Sequence, residues 1–320
     1  MKALVTGATG FIGSHLCEEL ARRGYQVTCL VREKSDLKWI EHIDLKLITG
    51  DCKSIDSLFS AVTDNDYVFH LAGLTKACSR DDFFCANTEG TENLIKAVAE
   101  KNPEIKRFVY LSSLAAAGPS NNGSPLREDT EPRPVSSYGR SKLDGEKAVL
   151  KYRDTIPVTI LRPSAVYGPR DKDFFLFFKM LKKGVFPYWG KCYYSLLYVD
   201  DLIEGIILAA ENKRAEGELY FLADSKFYTN EEIMHAISSA LGTSAIRLRV
   251  PRFIMPFFAY IGEWIKRPGI INRDKMNELS HSHWICDVQK AREELGFIPK
   301  VGIKEGMKWT ADWYRIHRWL

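Results

Sequence analysis

The chain has no CxxC pair, although it holds seven cysteines, Cys17, Cys29, Cys52, Cys78, Cys85, Cys192 and Cys286. Scattered in this way they build no zinc or dithiol motif, so no metal is expected, and a reducing, cytoplasmic location is. No run of about 18 apolar residues is present, which excludes a spanning helix of ordinary length. The apolar, aromatic stretch 253–265 is closed by Glu263, Lys266 and Arg267. It reads as a helix packed on the core or as a lip that touches lipid or guides a greasy substrate, and stable membrane insertion is not expected. A basic stripe is also missing: 45 Lys and Arg mix with 41 Asp and Glu for a net charge of +4. A reader of phosphate backbones clusters its cations, so no nucleic-acid partner is expected. Nor is a cleaved leader, because the feature that makes sense of the chain begins at Gly7.

What is present is a regular alternation over the first half. A β-prone run at 2–6 leads into Gly7-Ala8-Thr9-Gly10-Phe11-Ile12-Gly13, then a helical pattern to Arg23 and a second strand at 26–32. Further strands are predicted at 45–48, 66–71, 107–111 and 158–162, and helices at 88–101 and 138–152. This predicts an α/β fold: a Rossmann-type doubly wound parallel sheet with a smaller mixed C-terminal substrate lobe. Residues 1–170 read as the dinucleotide-binding domain carrying the catalytic residues. Residues 171–320 read mainly as the substrate lobe, with some segments returning to the first sheet. In that second part, helices are expected at 201–212, from a Thr229/Glu232 capping box to Gly242, at 287–295 and at 302–318. Met307, Trp309, Trp313 and Trp319 are expected there as core anchors. The loop 118–134 is long enough to be functional or mobile.

Glycines spaced three and three after a strand let the chain turn sharply, bring its backbone against a pyrophosphate and lay a helix on the sheet. Gly7, Gly10 and Gly13 fit that use. The end of the second strand selects the nicotinamide type, since an acid there accepts from a ribose and a base neutralises a 2′-phosphate. Arg32, with Lys34 and Ser35 beyond it, favours NADP over NAD, although an arginine also stacks on adenine without reading phosphate. Asp51 either accepts from the adenine amino group or simply forms a turn.

Tyr138 and Lys142 are four apart at the start of a predicted helix and so share a face. A phenol titrates near 10, and an adjacent ammonium favours its ionised form. Ser113, at the end of the fifth strand, can donate to a substrate oxygen. The three together make a proton-transfer group with a polarising partner.

Thr6-Gly7-Ala8-Thr9-Gly10-Phe11-Ile12-Gly13, His70-Leu71-Ala72-Gly73, Leu111-Ser112-Ser113, Tyr138-Gly139-Arg140-Ser141-Lys142 and Arg162-Pro163-Ser164-Ala165-Val166-Tyr167-Gly168-Pro169 resemble the extended short-chain dehydrogenase/reductase superfamily, that is, the NAD-dependent epimerase/dehydratase family. The resemblance runs through Tyr198-Val199-Asp200-Asp201 and 291–299. It implies that Tyr138 is the general acid or base, that Lys142 lowers its pKa and holds the nicotinamide ribose, and that Ser113 orients the substrate oxygen. It implies that Gly7, Gly10, Phe11, Ile12 and Gly13 cradle the pyrophosphate of NADP or NAD. Asp51, Leu71, Ala72 and Gly73 would lie along the adenine side and dinucleotide backbone, with Pro163, Ala165 and Val166 near the nicotinamide. Asn87 would support the site or merely cap a helix. A homodimer is implied as well.

Within the family, 111–119 followed by Glu128 and Tyr138 is similar to the 3β-hydroxysteroid dehydrogenase and dihydroflavonol reductase branch, implying a secondary alcohol or ketone on an apolar small molecule. Aromatics at Phe174, Phe175, Phe177, Phe178, Phe186, Tyr188 and Trp189 suit such a substrate where they line the pocket, and the rest build the lobe's core. The rival is a nucleotide-sugar epimerase or dehydratase, which often carries an arginine shortly before Tyr-Val-Asp-Asp; 192–198 has none. A non-catalytic dinucleotide sensor needs the glycines but neither Tyr138 nor Lys142.

Overall fold

The computed structural model describes residues 1–250 and 273–320; the apolar stretch 253–265 lies outside the described residues. Thirteen strands are described in chain order: β1 (Lys2–Thr6), β2 (Gln26–Val31), β3 (Lys46–Thr49), β4 (Tyr67–His70), β5 (Arg107–Leu111), β6 (Val158–Pro163), β7 (Ala165–Tyr167), β8 (Val185–Tyr188), β9 (Tyr193–Tyr198), β10 (Leu219–Leu222), β11 (Phe227–Thr229), β12 (Ile246–Arg249) and β13 (His283–Trp284). Seven of them form one sheet in the order β10-β6-β5-β4-β1-β2-β3, with every neighbouring pair parallel.

Parallel sheets need cover on both faces, and the strand residues alternate accordingly. Ala3, Val5, Phe69, Val109 and Leu111 face the core built with the helices Phe11–Arg22 and Val199–Glu211. Leu4, Val68, Phe108 and Tyr110 face the opposite core, against Gly90–Lys101 and Ser137–Leu150. The strand order reverses between β1 and β4, and the crevice at the carboxyl ends of strands flanking such a switch point is where ligands bind in open sheets. Gly7 follows β1 directly into that crevice.

In the C-terminal half, β9 is the centre of a smaller sheet, parallel to β7 and β13 and antiparallel to β11, while β8 and β12 pair as a separate parallel ribbon. The chain then re-enters the large sheet at β10, beside β6. The Thr229/Glu232 capping box forms, opening a helix at Asn230–Leu241 that ends at left-handed Gly242. The helix expected at 287–295 is one wide turn, Ala291–Leu295, stopped by Gly296 at φ 70°.

One aromatic assignment changes and another is settled in part. On the helix Ile303–Ile316, Met307, Thr310, Ala311 and Tyr314 form the inward stripe. Trp309 falls outside it and is 43% exposed, edge-on to Tyr198, so it is no core anchor. Of the 174–189 aromatics, Phe178 and Phe186 are buried, and Phe175 and Phe178 pack edge-on to Tyr314 at 5.0 and 5.1 Å, which makes them lobe core instead of pocket wall. The loop 118–134 is pinned at intervals: Ser120 N–H donates to the His283 carbonyl, Leu126 N–H to Ile285, and the Glu128 carboxylate accepts from Phe221 N–H at 3.0 Å.

Candidate active site

Gly7 takes φ +73°, and a Cβ there would sit 2.8 Å from the backbone of Leu71 and Ala72; a Cβ on Gly13 would sit 2.1 Å from the Gly7 carbonyl oxygen. Only glycine permits both approaches. Gly10 is the N-cap of the helix Phe11–Arg22 and brings no side-chain acceptor. The N–H groups of the first turn, at Phe11, Ile12 and Gly13, therefore have no intrahelical partner and sit at the positive end of the helix dipole. A cradle that a Cβ would fill, lined with such donors, fits a dinucleotide pyrophosphate.

The β4 end runs alongside this turn. Leu71 N–H donates to the Thr6 carbonyl and Ala72 N–H to the Thr6 hydroxyl, both at 3.2 Å. Behind them, buried His70 links the Thr6 hydroxyl at 2.7 Å to the Thr91 hydroxyl at 2.9 Å. Burial pushes its imidazole down to about 3, with the Lys142 charge adding to the effect, so it is neutral. A Cβ on Gly73 would meet Asn87 Oδ1 at 2.8 Å and Lys142 Nζ at 3.9 Å, so this strand end reaches from the cradle to the helix Ser137–Leu150. Arg32 is exposed just past β2, its N–H on the Ser35 hydroxyl at 3.0 Å. Asp51 Oδ1 accepts from Lys53 N–H at 3.0 Å, a turn-forming contact.

Ser136 caps the helix Ser137–Leu150, accepting from Gly139 N–H at 3.0 Å. That places Tyr138 in the first turn, with its ring 6.0 Å from Phe83. The phenol is pushed up to about 12, chiefly by burial and further by the charges of Glu278 and Asp173, while the nearby Ser113 hydroxyl opposes the rise. Ser113 also caps the short helix Leu114–Ala117, which fixes its place at the end of β5. One turn along, the buried Lys142 ammonium donates to the Leu111 carbonyl at 2.7 Å and lies 4.2 Å from the Tyr110 ring centre. Burial pushes it down to about 7, against the opposing charge of Glu146. Ser113, Tyr138 and Lys142 are thus gathered at one end of β5.

Pro163 ends β6 buried, whereas Ala165 and Val166 begin β7, Ala165 exposed. Asn87 is not a helix cap. It sits fully buried in the turn Cys85–Glu89, donating to the Leu74 carbonyl at 3.0 Å and the Ser141 hydroxyl at 2.9 Å and accepting from Leu74 N–H at 2.7 Å. It clamps the loop after Gly73 to the helix Ser137–Leu150.

Sequence reasoning missed a second buried cluster. Arg162 on β6 grips Glu146 through two hydrogen bonds, 2.8 and 2.6 Å, and the Ser112 hydroxyl donates to the same carboxylate. The available signal was a glutamate four residues after Lys142 on a face that also buries Gly145 and Val149. A carboxylate on such a face demands a cation.

Among the described residues no group of three or more His, Cys, Asp or Glu could hold a metal, and no helix is long and apolar enough to cross a membrane. Sheet order, cradle and site define a Rossmann-type, NAD(P)-dependent enzyme. A model of the NAD dependent epimerase/dehydratase family matches residues 3–223, and the chain belongs to that family. A ceramide reductase of Caulobacter vibrioides is 29% identical, covering 99% of this chain and 95% of its own. A UDP-glucose 4-epimerase of Vibrio cholerae is 26% identical, covering 97% and 94%. The crystal structure of a Bacillus cereus UDP-glucuronic acid 4-epimerase in complex with UDP-glucuronic acid and NAD superposes with a TM-score of 0.80 at 25% identity, covering 99% and 100%. These matches lend no support to the steroid and flavonoid branch suggested by 111–119.

Proposed function

We propose that the chain transfers a hydride reversibly between a nicotinamide dinucleotide and a carbinol or keto carbon, with Tyr138 carrying the hydroxyl proton. The observation that supports this is Tyr138 and buried Lys142 one turn apart on the helix Ser137–Leu150, with Lys142 bonded to the β5 end that leads into Ser113 and 3.9 Å from where a Gly73 Cβ would sit, next to the Gly7–Gly13 cradle. The dinucleotide, when bound, supplies or accepts the hydride. Gly7, Gly10, Phe11, Ile12 and Gly13 hold its pyrophosphate, Asp51 and Leu71 to Gly73 its adenine side, and Pro163, Ala165 and Val166 border the nicotinamide. Ser113 orients the substrate oxygen. Tyr138, held protonated at neutral pH, is in the form that donates to a developing alkoxide, and the Lys142 ammonium stabilises the phenolate left behind. We take NAD as the cofactor, supported by the Bacillus cereus complex. Arg32→Ala should then change NAD affinity little.

For the substrate, the family description, the Vibrio epimerase and the Bacillus complex support a nucleotide sugar, with epimerisation or dehydration following hydride removal. A specific observation favours a second reading, reduction of a ketone on an apolar molecule: 192–198 lacks the arginine that clamps a diphosphate, and the Caulobacter relative is named a reductase. The test offers UDP- and dTDP-sugars, long-chain 3-ketones and hydroxysteroids, following reduced-cofactor absorbance together with product chromatography, since an epimerase shows no net absorbance change. Sugar isomers or 4-keto sugars support the first reading, and cofactor oxidation with a ketone supports the second. Tyr138→Phe should lower kcat about 100-fold or more while cofactor affinity holds; undiminished turnover would sink the proposed role. Sedimentation of the pure protein tests the homodimer that the family suggests.

A further inference from the structure

The Ser112–Glu146–Arg162 cluster adjoins the proposed site without being among the residues assigned to cofactor or substrate. Glu146 and Arg162 are each 2% exposed, so both charges have left water. Burying such a pair is weakly stabilising at best against an apolar replacement, so stability alone is a poor reason for it. Its three members come from three elements that must agree in register: Ser112 precedes Ser113 at the end of β5, Glu146 is one turn beyond Lys142, and Arg162 precedes Pro163 at the end of β6. The Arg162 guanidinium also lies 5.6 Å from the Phe221 ring centre of β10.

We infer that Glu146 is a positioning residue for hydride transfer: gripped by Arg162 and Ser112, it locks the ends of β5 and β6 to the helix Ser137–Leu150 and sets its negative charge beside the Lys142 ammonium. The inference rests on the proposed reaction for its kinetic consequence only. The charged and titratable groups around Lys142 are His70 from β4, Tyr110 from β5, and Tyr138 and Glu146 from its own helix. His70 is neutral, and burial keeps Tyr110 protonated. Glu146 is therefore the group here that favours the charged form of Lys142.

The deciding experiment titrates the Nζ resonance of Lys142 by NMR in 15N-lysine-labelled protein, assigned by its loss in Lys142→Met, and pairs it with the pH profile of kcat. In Glu146→Gln the Lys142 titration should move about one pH unit lower. The alkaline limb of kcat should follow it, with kcat down about tenfold or more and KM little changed. Glu146→Asp, which keeps the charge, should hold the titration and recover most of the rate. An unmoved titration in a folded Glu146→Gln protein, or equal losses in both variants, overturns the inference and leaves the pair a structural brace. If Glu146→Gln does not fold, Arg162→Lys loosens the grip while keeping the cation; kcat should fall with cofactor affinity held, and an unchanged kcat overturns the positioning role. The titration needs no substrate, so it stands even where the substrate panel yields no turnover.

Discussion

The Lys142 ammonium donates to the carbonyl of Leu111 at 2.7 Å, tying the helix Ser137–Leu150 to the strand end that carries Ser113. This bond satisfies one of three donors on a cation that is only 4% exposed, and the group is pushed down from 10.5 to about 7. Between those pH values the unfolded chain holds the proton and the folded chain releases it, so this lysine makes stability rise with pH across the window. Below about 7 both states are charged and the full burial cost applies. Lys142→Met should therefore melt higher than the natural protein at pH 6.5, with the gap shrinking by pH 9. A gap independent of pH would show that the buried ammonium carries no such cost.

The glycine cradle gives a contrast between two left-handed positions. Gly7 and Gly24 both have positive φ, but a Cβ on Gly7 collides with Leu71 and Ala72 whereas one on Gly24 meets nothing within 4 Å. Gly24→Ala should cost about 1 kcal/mol of stability from backbone strain and leave cofactor affinity intact. Gly7→Ala should weaken NAD binding at least tenfold, because the strand end that carries the cradle must shift. Isothermal titration with NAD, beside thermal melts, separates the two; equal affinities would remove Gly7 from the cradle.

Much of this was legible because it is local. The glycine spacing, the capping box at Thr229 and the Tyr138–Lys142 face are short-range patterns, and the strand–helix alternation gives the sheet. What was not legible depends on partners far away in sequence. Glu146 meets Arg162 only because β6 lies under the helix, and Asn87 becomes a clamp only when Leu74 folds back on it; that a later segment returns to the large sheet was expected, but which strand does so, β10 beside β6, was not. Which of the aromatics at 174–189 build the lobe's core was left open for the same reason: Tyr314, which Phe175 and Phe178 pack against, sits near the chain end. Trp309 misled because residue type was read without helical phase.

Those aromatics yield a stability contrast. Phe178 is fully buried against Tyr314, so Phe178→Ala should cost about 3–5 kcal/mol. Trp309→Ala removes a larger ring from a half-open position and should cost well under half as much. Denaturant melts of the two variants decide it, and a reversed order would restore Trp309 to the core.

His70 makes a prediction at acid pH. It is fully buried between two threonine hydroxyls and pushed from 6.5 to about 3, so between those values the unfolded chain takes up a proton that the folded chain refuses. Its contribution to stability is complete above about 6.5 and is lost as the pH falls toward 3. His15, pushed to about 4 by burial, titrates in the same direction, so the comparison must be made at one site at a time. His70→Gln keeps a donor and an acceptor but no titration in this range. At pH 7 it should cost about 1–3 kcal/mol, because two buried hydroxyls lose well-placed partners. The difference from the natural protein should then narrow between pH 6.5 and 4. Because the Thr6 hydroxyl that His70 holds also accepts from Ala72 N–H, the variant should weaken NAD binding too; acid melts with the same slope as the natural protein would mean that His70 is charged or open to water in the folded chain.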